Sequence, residues 1–326
     1  MFGFDFRRGQ VVRTLTDRPQ PIRRPKQAYR LPIRPEFAIL RPFRVGHPGN
    51  SAVYLANKPS LRQSQSMLST TELGYVLSGL LVGLLVGQTG VGGGSLMTPL
   101  LVLLFGIHPA TAVGTDLLYA SVTKTVGSTV HGYNKTVDWW IVVRLAAGSL
   151  PATAATLFLV SKFNLVSPGA STVLSVMLGA TLVITSLSLL ARDWILSHLE
   201  SILAALSPKR VAALTIAAGA ALGVAVSLTS VGAGAIGVVA LIALYPRLPT
   251  RTIVGSDIAH AVPLTLLAGI GHFIMGSVDV RLLGTLLIGS IPGVLIGSLL
   301  AARLPEWVIR PLLAIVLAIV GVKLVI

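Results

Sequence analysis

Long apolar stretches separated by short polar ones dominate the chain from residue 73 onward. A helix needs about 20 apolar residues to cross a bilayer, and only helices and closed barrels satisfy their backbone there. The ~10-residue alternating segments of a transmembrane barrel are not seen. The pattern therefore predicts an all-α, polytopic transmembrane bundle of about 8–10 membrane segments. Ten segments are predicted, at 73–89, 94–106, 111–130, 139–160, 170–190, 211–229, 234–245, 252–271, 281–301 and 307–325.

Two of these segments, 94–106 and 234–245, are too short to cross a bilayer alone. Each follows a glycine-rich break, at 90–94 and 231–234. Short, glycine-interrupted segments at matching positions of two halves are typical of the substrate site of a secondary transporter.

The chain also contains an internal repeat, because residues 111–151 recur at 252–292 with a constant offset of 141. Twelve of the 41 aligned positions are identical, among them two aspartates, a histidine and a proline. We therefore predict two homologous copies, 67–190 and 211–326, joined by a linker at 191–210. A two-fold repeat in so hydrophobic a chain indicates a secondary transporter.

The relative direction of the two copies depends on the short segments. If they do not cross the membrane, each copy has four crossings and the copies are parallel. If they do cross, each copy has five and the copies are inverted. Counting basic loop residues favours four-plus-four for a cytoplasmic amino terminus but leaves both arrangements open. The linker contains an amphipathic piece, 194–200, which we expect at the membrane interface.

Composition supports the membrane assignment, since 53% of the 326 residues are apolar and only 11% are charged. A soluble domain averages about 25% charged residues. The chain has no cysteine and no clustered histidines, so we expect no metal site and no cofactor. We expect the lipid bilayer as a partner and no nucleic acid, because no basic recognition module is found. The sequence leaves open whether the protein forms a homo-oligomer.

The net charge of +15 comes largely from residues 1–66, which hold 13 of the 26 Lys and Arg residues. This stretch is rich in Arg and Pro and lacks periodicity, so it is predicted to be a disordered basic segment or to precede a true start at Met67. A lipid-attracted cytoplasmic tail and an organellar transit peptide are the alternatives.

The two glycine breaks supply most of the candidate substrate-binding residues. If a short helix begins after each break, its first N–H groups are unpaired and form an anion site. The structural alternative is that the glycines only allow close helix packing. The candidates at the breaks are Thr89, Gly92, Gly93, Gly94, Ser95, Thr229, Ser230, Gly232 and Gly234.

One further substrate-binding candidate is Lys124, a cation in the middle of a predicted segment. Its counterpart in the other copy is Thr265, so the charge belongs to one copy only. Lys124 is predicted either to attract an anionic substrate or to pair with Asp116. Arg144, near the start of its segment, is expected to extend to the interface.

Asp116, Asp257, His131 and His272 are candidates for coupling or gating. A carboxylate at membrane depth is costly and normally has a partner, although an aspartate near a helix start can instead stabilise that start. The histidines are predicted on loops, where they either close the loop through hydrogen bonds or act as a pH-sensitive gate.

The motif from Gly87 to Gly94, followed by Gly114-Thr115-Asp116, resembles the TauE/SafE family of sulfite exporters. The second copy has a similar pattern, which ends in Gly255-Ser256-Asp257, and the resemblance covers 73–326. It implies a secondary transporter of sulfite, organosulfonates or related small anions, with export across the inner membrane and no enzymatic activity. The alternatives are a passive anion channel and a membrane assembly protein that transports nothing.

Overall fold

The computed structural model describes residues 70–89, 94–133, 135–163, 169, 171–204, 206–300 and 306–325. The predicted segment 1–66 lies outside them. The described residues form α-helices joined by short connections, with no strand among them. The helices are α1 Thr70–Thr89, α2 Gly94–Phe105, α3 Pro109–Tyr133, α4 Trp139–Lys162, α5 Ser171–Leu190, α6 Arg192–Ala204, α7 Pro208–Thr229, α8 Ile236–Leu244, α9 Thr250–Ile274, α10 Val280–Leu300 and α11 Glu306–Val325.

Ten of these helices match the ten predicted segments within a few residues at each end. Five, namely α4, α5, α7, α9 and α10, contain stretches long and apolar enough to cross a membrane. As predicted, α2 and α8 are short, with 12 and 9 residues. The all-α class of a multi-pass membrane protein is confirmed. The remaining helix, α6, lies in the predicted linker, and its Asp193 pairs with Arg310 of α11 at 2.8 Å.

Helices α1 and α10 pack with their backbones close together through small residues. A Cβ atom added to Gly79 would overlap the carbonyl oxygen of Leu286, and one added to Gly83 would overlap that of Ser290. Small residues allow such approach in membranes, where dispersion contacts and not the hydrophobic effect hold helices together. The contact positions rise together along both helices, so α1 and α10 run parallel.

Helices α4 and α7 make the matching contacts between the two copies. Gly219 lies against the carbonyl of Leu145, and Gly223 lies against that of Ser149. Leu145 and Ser149 are the sequence counterparts of Leu286 and Ser290. The first helix of each copy therefore packs against the fourth helix of the other copy, in the same direction and with the same glycine contacts.

Helices at matching positions of the two copies run in opposite directions. Gly114 at the start of α3 lies against His272 at the end of α9, whereas Gly127 near the end of α3 faces Ile258 near the start of α9. The contact positions fall along one helix as they rise along its counterpart. A helix and its counterpart are thus antiparallel at the centre of the bundle.

The fifth helices show the same relation. In α5, Gly179 lies against Gly321 of α11, and the Ser186 hydroxyl donates to the Ala314 carbonyl at 2.7 Å. Antiparallel counterparts mean that the copies are inverted, with five elements each. These directions are those of inverted copies and do not fit the four-plus-four parallel arrangement that loop charges favoured.

The copies are also linked where α4 and α10 begin. The backbone N–H of Asp138 donates to the Ser256 hydroxyl at 2.8 Å, and that of Asp279 donates to the Thr115 hydroxyl at 3.0 Å. Each aspartate in turn accepts from two N–H groups at the start of its own helix. The Gly-Thr/Ser-Asp motifs thus tie each copy to the other.

Candidate functional site

The second glycine break is a tight, fully buried turn between α7 and α8. Ser230, Gly232 and Gly234 adopt φ angles of 60°, 119° and 108°. Glycine reaches this left-handed region without steric cost, which explains its use twice in three residues. The Thr229 hydroxyl donates to the Ala225 carbonyl at 2.7 Å and accepts from the Val231 N–H at 3.2 Å.

Backbone N–H groups at the start of α8 are hydrogen-bonded within the chain. The N–H groups of Ile236 and Gly237 donate to the Gly232 carbonyl at 3.1 and 3.3 Å. Two of the N–H groups predicted to face a substrate are therefore already paired. The N–H of Gly234 lies close to the carboxylate of Asp257, which occupies the position predicted for an external anion.

The first glycine break falls largely outside the described residues. Gly92 and Gly93 are not described, nor are the side chains of Thr89 and Ser95, and Gly94 is the first residue of α2. The candidate substrate-binding residues of this break therefore stay predictions.

Asp116 and Tyr119 form a buried polar group on α3, which we call the Tyr119 cluster together with Thr98 and Ser290. Asp116 accepts from the Thr98 N–H at 3.2 Å and from its hydroxyl at 2.5 Å. The Tyr119 hydroxyl donates to the Ser290 hydroxyl at 2.7 Å. The Ser230 side chain lies near the same carboxylate. Since Thr98 belongs to α2, Asp116 does not cap its own helix, as the structural alternative proposed, but joins two helices.

Lys124, Asp257 and His260 form a second buried group, which we call the Lys124 cluster together with Ser149. Its three ionisable side chains are at most 4% exposed. His260 Nε2 lies 2.8 Å from the Ser149 hydroxyl. Neither carboxylate oxygen of Asp257, nor Nδ1 of His260, forms a hydrogen bond within the described chain. A Cβ added to Gly237 would overlap Asp257 Oδ1, so the carboxylate lies directly against the start of α8.

The ammonium group of Lys124 lies in the electrostatic field of two carboxylates, Asp257 more strongly than Asp116. No ion pair within 4.0 Å joins Lys124 to either carboxylate. The predicted alternative, a direct pair with Asp116, is therefore not found. A buried lysine normally needs a partner to offset its desolvation, so its position is suited to an anionic ligand.

His131 and His272 lie in the last turns of α3 and α9, and the prediction of a loop position is wrong. The His131 carbonyl accepts from the Thr136 N–H at 3.0 Å, and the His272 carbonyl accepts from the Ser277 N–H at 2.9 Å. His131 Nδ1 lies 2.9 Å from the Thr136 hydroxyl. The His131 side chain thus contacts the connection that follows its helix, whereas His272 Nε2 lies 2.9 Å from the Ser227 carbonyl of α7. The gating and loop-closing roles of the two side chains stay predictions.

Arg144 forms a specific contact within the protein. Its guanidinium donates to the Tyr245 hydroxyl at 3.1 Å, and that hydroxyl lies 2.9 Å from the hydroxyl of Thr215. Arg144 therefore joins α4 to α7 through the end of α8, and its expected extension to the interface stays a prediction.

The residue that sequence reasoning missed is His260. Its counterpart is Tyr119, so a search for identities between the copies passed over both. The signal was nevertheless present, because each residue follows the motif aspartate by three positions. Residues three apart share one face of a helix, and a comparison of that face would have shown that the copies differ beside their aspartates.

Comparisons with known proteins agree with this architecture. A protein of Bacillus subtilis (strain 168), "Probable membrane transporter protein YjnA", is 40% identical over 216 residues, which are 66% of this chain and 84% of the relative. A second, "Probable membrane transporter protein YunE", is 38% identical over 68 residues, 21% of this chain and 25% of its own length. No solved structure gives a significant match. The model of the family "Sulfite exporter TauE/SafE" matches residues 75–324, and the chain belongs to this family of membrane transporters.

Proposed function

We propose that the protein is a secondary transporter that exports small anions, namely sulfite, organosulfonates or related sulfur or carboxylate anions, across the inner (plasma) membrane. We expect no enzymatic activity. The observation that carries the proposal is Lys124, a cation at most 4% exposed, which has no hydrogen bond or ion pair within the described chain. A polyatomic anion would supply the missing partner.

The position of Lys124 supports transport. It lies on α3, and its strongest electrostatic partner, Asp257, lies on α9. These are the antiparallel counterpart helices of the two copies. In transporters with inverted repeats the substrate binds where the repeats meet, and one repeat moves against the other around the site. Asp116 and Asp257 are the candidates for coupling this movement to an ion, because each is a buried carboxylate beside a short helix.

The test is anion movement in inside-out membrane vesicles that contain the protein, with sulfite, sulfoacetate and sulfate offered in turn. We expect saturable uptake of a sulfur anion that empty vesicles lack. Conductance without saturation would indicate a passive channel. Vesicles in which no small anion moves would contradict the proposal and favour an assembly role.

Lys124→Ala and Arg144→Ala form a matched pair for the same assay. Removal of Lys124 should weaken anion binding by about ten- to a hundredfold, since hydrogen bonds to charged groups contribute ~1.5–3 kcal/mol. Arg144 binds Tyr245, and we expect its removal to change stability more than affinity. Equal, small effects on affinity would place the cation that binds substrate elsewhere.

A further inference from the structure

The Lys124 cluster combines unused hydrogen-bond acceptors with unused donors. Neither oxygen of Asp257 forms a hydrogen bond of normal geometry within the described chain, although the Gly234 N–H lies close to the carboxylate. Lys124 has no hydrogen-bond acceptor among the described residues. His260 holds Ser149 with Nε2, while its Nδ1 has no described partner. Unsatisfied buried polar atoms are rare in folded proteins and call for an explanation.

The side chains at the symmetry-related positions show that the backbone does not impose this arrangement. There, Tyr119 takes the place of His260 and is bonded to Ser290. Thr265 takes the place of Lys124, and its hydroxyl donates to the Ala261 carbonyl of its own helix at 2.8 Å. At the matching site Asp116 Oδ1 is also without a described partner, but Oδ2 accepts twice from Thr98 and no lysine is present, so the two sites differ in how far their side chains satisfy one another.

A fully deprotonated anion would fit this site poorly. Its oxygens would accept from Lys124, but the Asp257 carboxylate beside them would repel it and would still lack a donor. An anion that carries one acidic O–H satisfies both sides, because its O–H donates to Asp257 while its other oxygens accept from Lys124 and from the Nδ1–H of a neutral His260, whose Nε2 then accepts from Ser149. Such bonds to charged groups are among the strongest that proteins form.

Other ionisable groups near α9 already have structural roles. On α3, Asp116 accepts from Thr98, and His131 lies beside Thr136. On α4, Asp138 caps its own helix. The remaining charged groups on helices packed against α9 are Arg144, which is bonded to Tyr245, and three exposed residues, Lys162 at the end of α4 and Lys209 and Arg210 at the start of α7. None of these side chains donates to Asp257, and the Gly234 N–H beside the carboxylate forms no hydrogen bond of normal geometry with it.

Building on the proposed function, we propose that the Lys124 cluster is the substrate site and that it takes a small oxyanion together with one proton, held between an anion oxygen and the Asp257 carboxylate. Lys124 neutralises the charge of the anion, and His260, fixed by Ser149, orients it. The class of substrate is then an oxyanion with an ionisable O–H.

This assignment separates the candidate substrates by whether they carry an ionisable O–H. Sulfite takes up a proton near neutral pH and meets the requirement, whereas sulfate and alkyl sulfonates carry no proton there. Sulfite should therefore bind well, while the two strong-acid anions, which have similar oxygen groups, should bind weakly.

The experiment is calorimetric titration of the purified full chain with sulfite, sulfate and methanesulfonate at alkaline pH, where free sulfite is mainly the dianion. Repetition in buffers of different ionisation enthalpy gives the protons taken up per bound anion. We expect uptake of about one proton with sulfite and at least tenfold weaker binding of the other two anions. Asp257→Asn should lose the proton uptake and at least tenfold in sulfite affinity.

Two variants keep the test informative if Asp257→Asn fails to fold. Lys124→Thr and His260→Tyr each introduce the residue found at the symmetry-related position, Thr265 or Tyr119, whose hydroxyl is hydrogen-bonded there. Both should fold and bind sulfite at least tenfold more weakly. Sulfate or methanesulfonate binding as tightly as sulfite, or sulfite binding without proton uptake, would overturn the inference while the transport proposal stood. The absence of binding or movement for every anion would instead overturn the transport proposal.

Discussion

The Tyr119 cluster and the Lys124 cluster occupy matching positions of the two copies but differ in how their polar atoms are satisfied. In the Tyr119 cluster Oδ2 of Asp116 receives two hydrogen bonds from Thr98 while Oδ1 receives none from a described residue, and Tyr119 bonds to Ser290. In the Lys124 cluster the corresponding carboxylate receives none from a described residue. The first group holds helices together, whereas the second lacks partners that a ligand would provide.

This difference shows how a duplicated scaffold can separate stability from function. Both aspartates lie beside a short helix, and both are buried. A hydrogen-bonded carboxylate stabilises its surroundings, but an unpaired one costs free energy until a partner arrives. The Lys124 cluster, which keeps the costly arrangement and is built from both copies, is where we place substrate recognition.

The largest expected effect comes from moving the positive charge between the clusters. In a double variant, Lys124→Thr with Thr265→Lys, sulfite transport should fall by about a hundredfold, because a bond to a charged group contributes ~1.5–3 kcal/mol and the lysine now lies away from Asp257 and His260. The initial rate in reconstituted vesicles measures this effect.

The single variant Lys124→Thr is the control for the double exchange, and its transport should fall equally. If the double variant regains the wild-type rate, the two clusters are functionally equivalent, and the asymmetry on which the comparison rests has no role.

A smaller effect is expected from Gly237→Ala, which would push the added methyl group against Asp257 Oδ1. We expect a stability cost of about 1–3 kcal/mol, typical of overpacking, together with about tenfold slower transport as the carboxylate shifts. Gly127→Ala is the matched control, since its Cβ would lie 3.6 Å from Ile258 Cγ2, an ordinary contact. Thermal unfolding in detergent and vesicle transport measure the two effects. Equal behaviour of both variants would argue that Asp257 is not held against α8.

The sequence predicted most of the helices because apolar length and glycine breaks are local signals. The boundaries of α2 and α8 followed from the residues around them. The relative direction of the copies could not be predicted, because the length of the short segments does not show whether they cross the membrane. The loop charges fitted either number of crossings. Packing resolved it through contacts far apart in the chain, such as that between Gly114 and His272.

The site was predictable only in part. Lys124 and Asp257 stood out because charges are rare in membrane segments, but their mutual proximity depends on the antiparallel packing of α3 and α9. The anion site expected at the helix starts is altered at α8 by two contacts that no local sequence pattern reveals. The Gly232 carbonyl pairs with N–H groups of α8, and the protein's own Asp257 lies at the same position.

On the structural side of the comparison, Thr98→Val removes the hydroxyl that donates to Asp116. The variant keeps the side-chain shape but leaves a buried carboxylate oxygen without that donor, which costs about 1–3 kcal/mol. We expect the thermal unfolding midpoint in detergent to fall while the selectivity for sulfite over sulfate stays unchanged. A change in selectivity without loss of stability would mean that Asp116 also takes part in recognition.

The smallest expected effect is that of Tyr119→Phe. Its hydroxyl donates to Ser290, and removal of one neutral hydrogen bond costs about 1 kcal/mol. Because the ring stays in place, sulfite affinity and proton uptake should both match those of the wild type, whereas His260→Phe at the matching position should lower affinity. Unfolding midpoints and calorimetric titration of both variants, measured side by side, test this. A loss of affinity in Tyr119→Phe as large as that in His260→Phe would place both clusters in the substrate path. It would remove the distinction between a structural and a binding cluster.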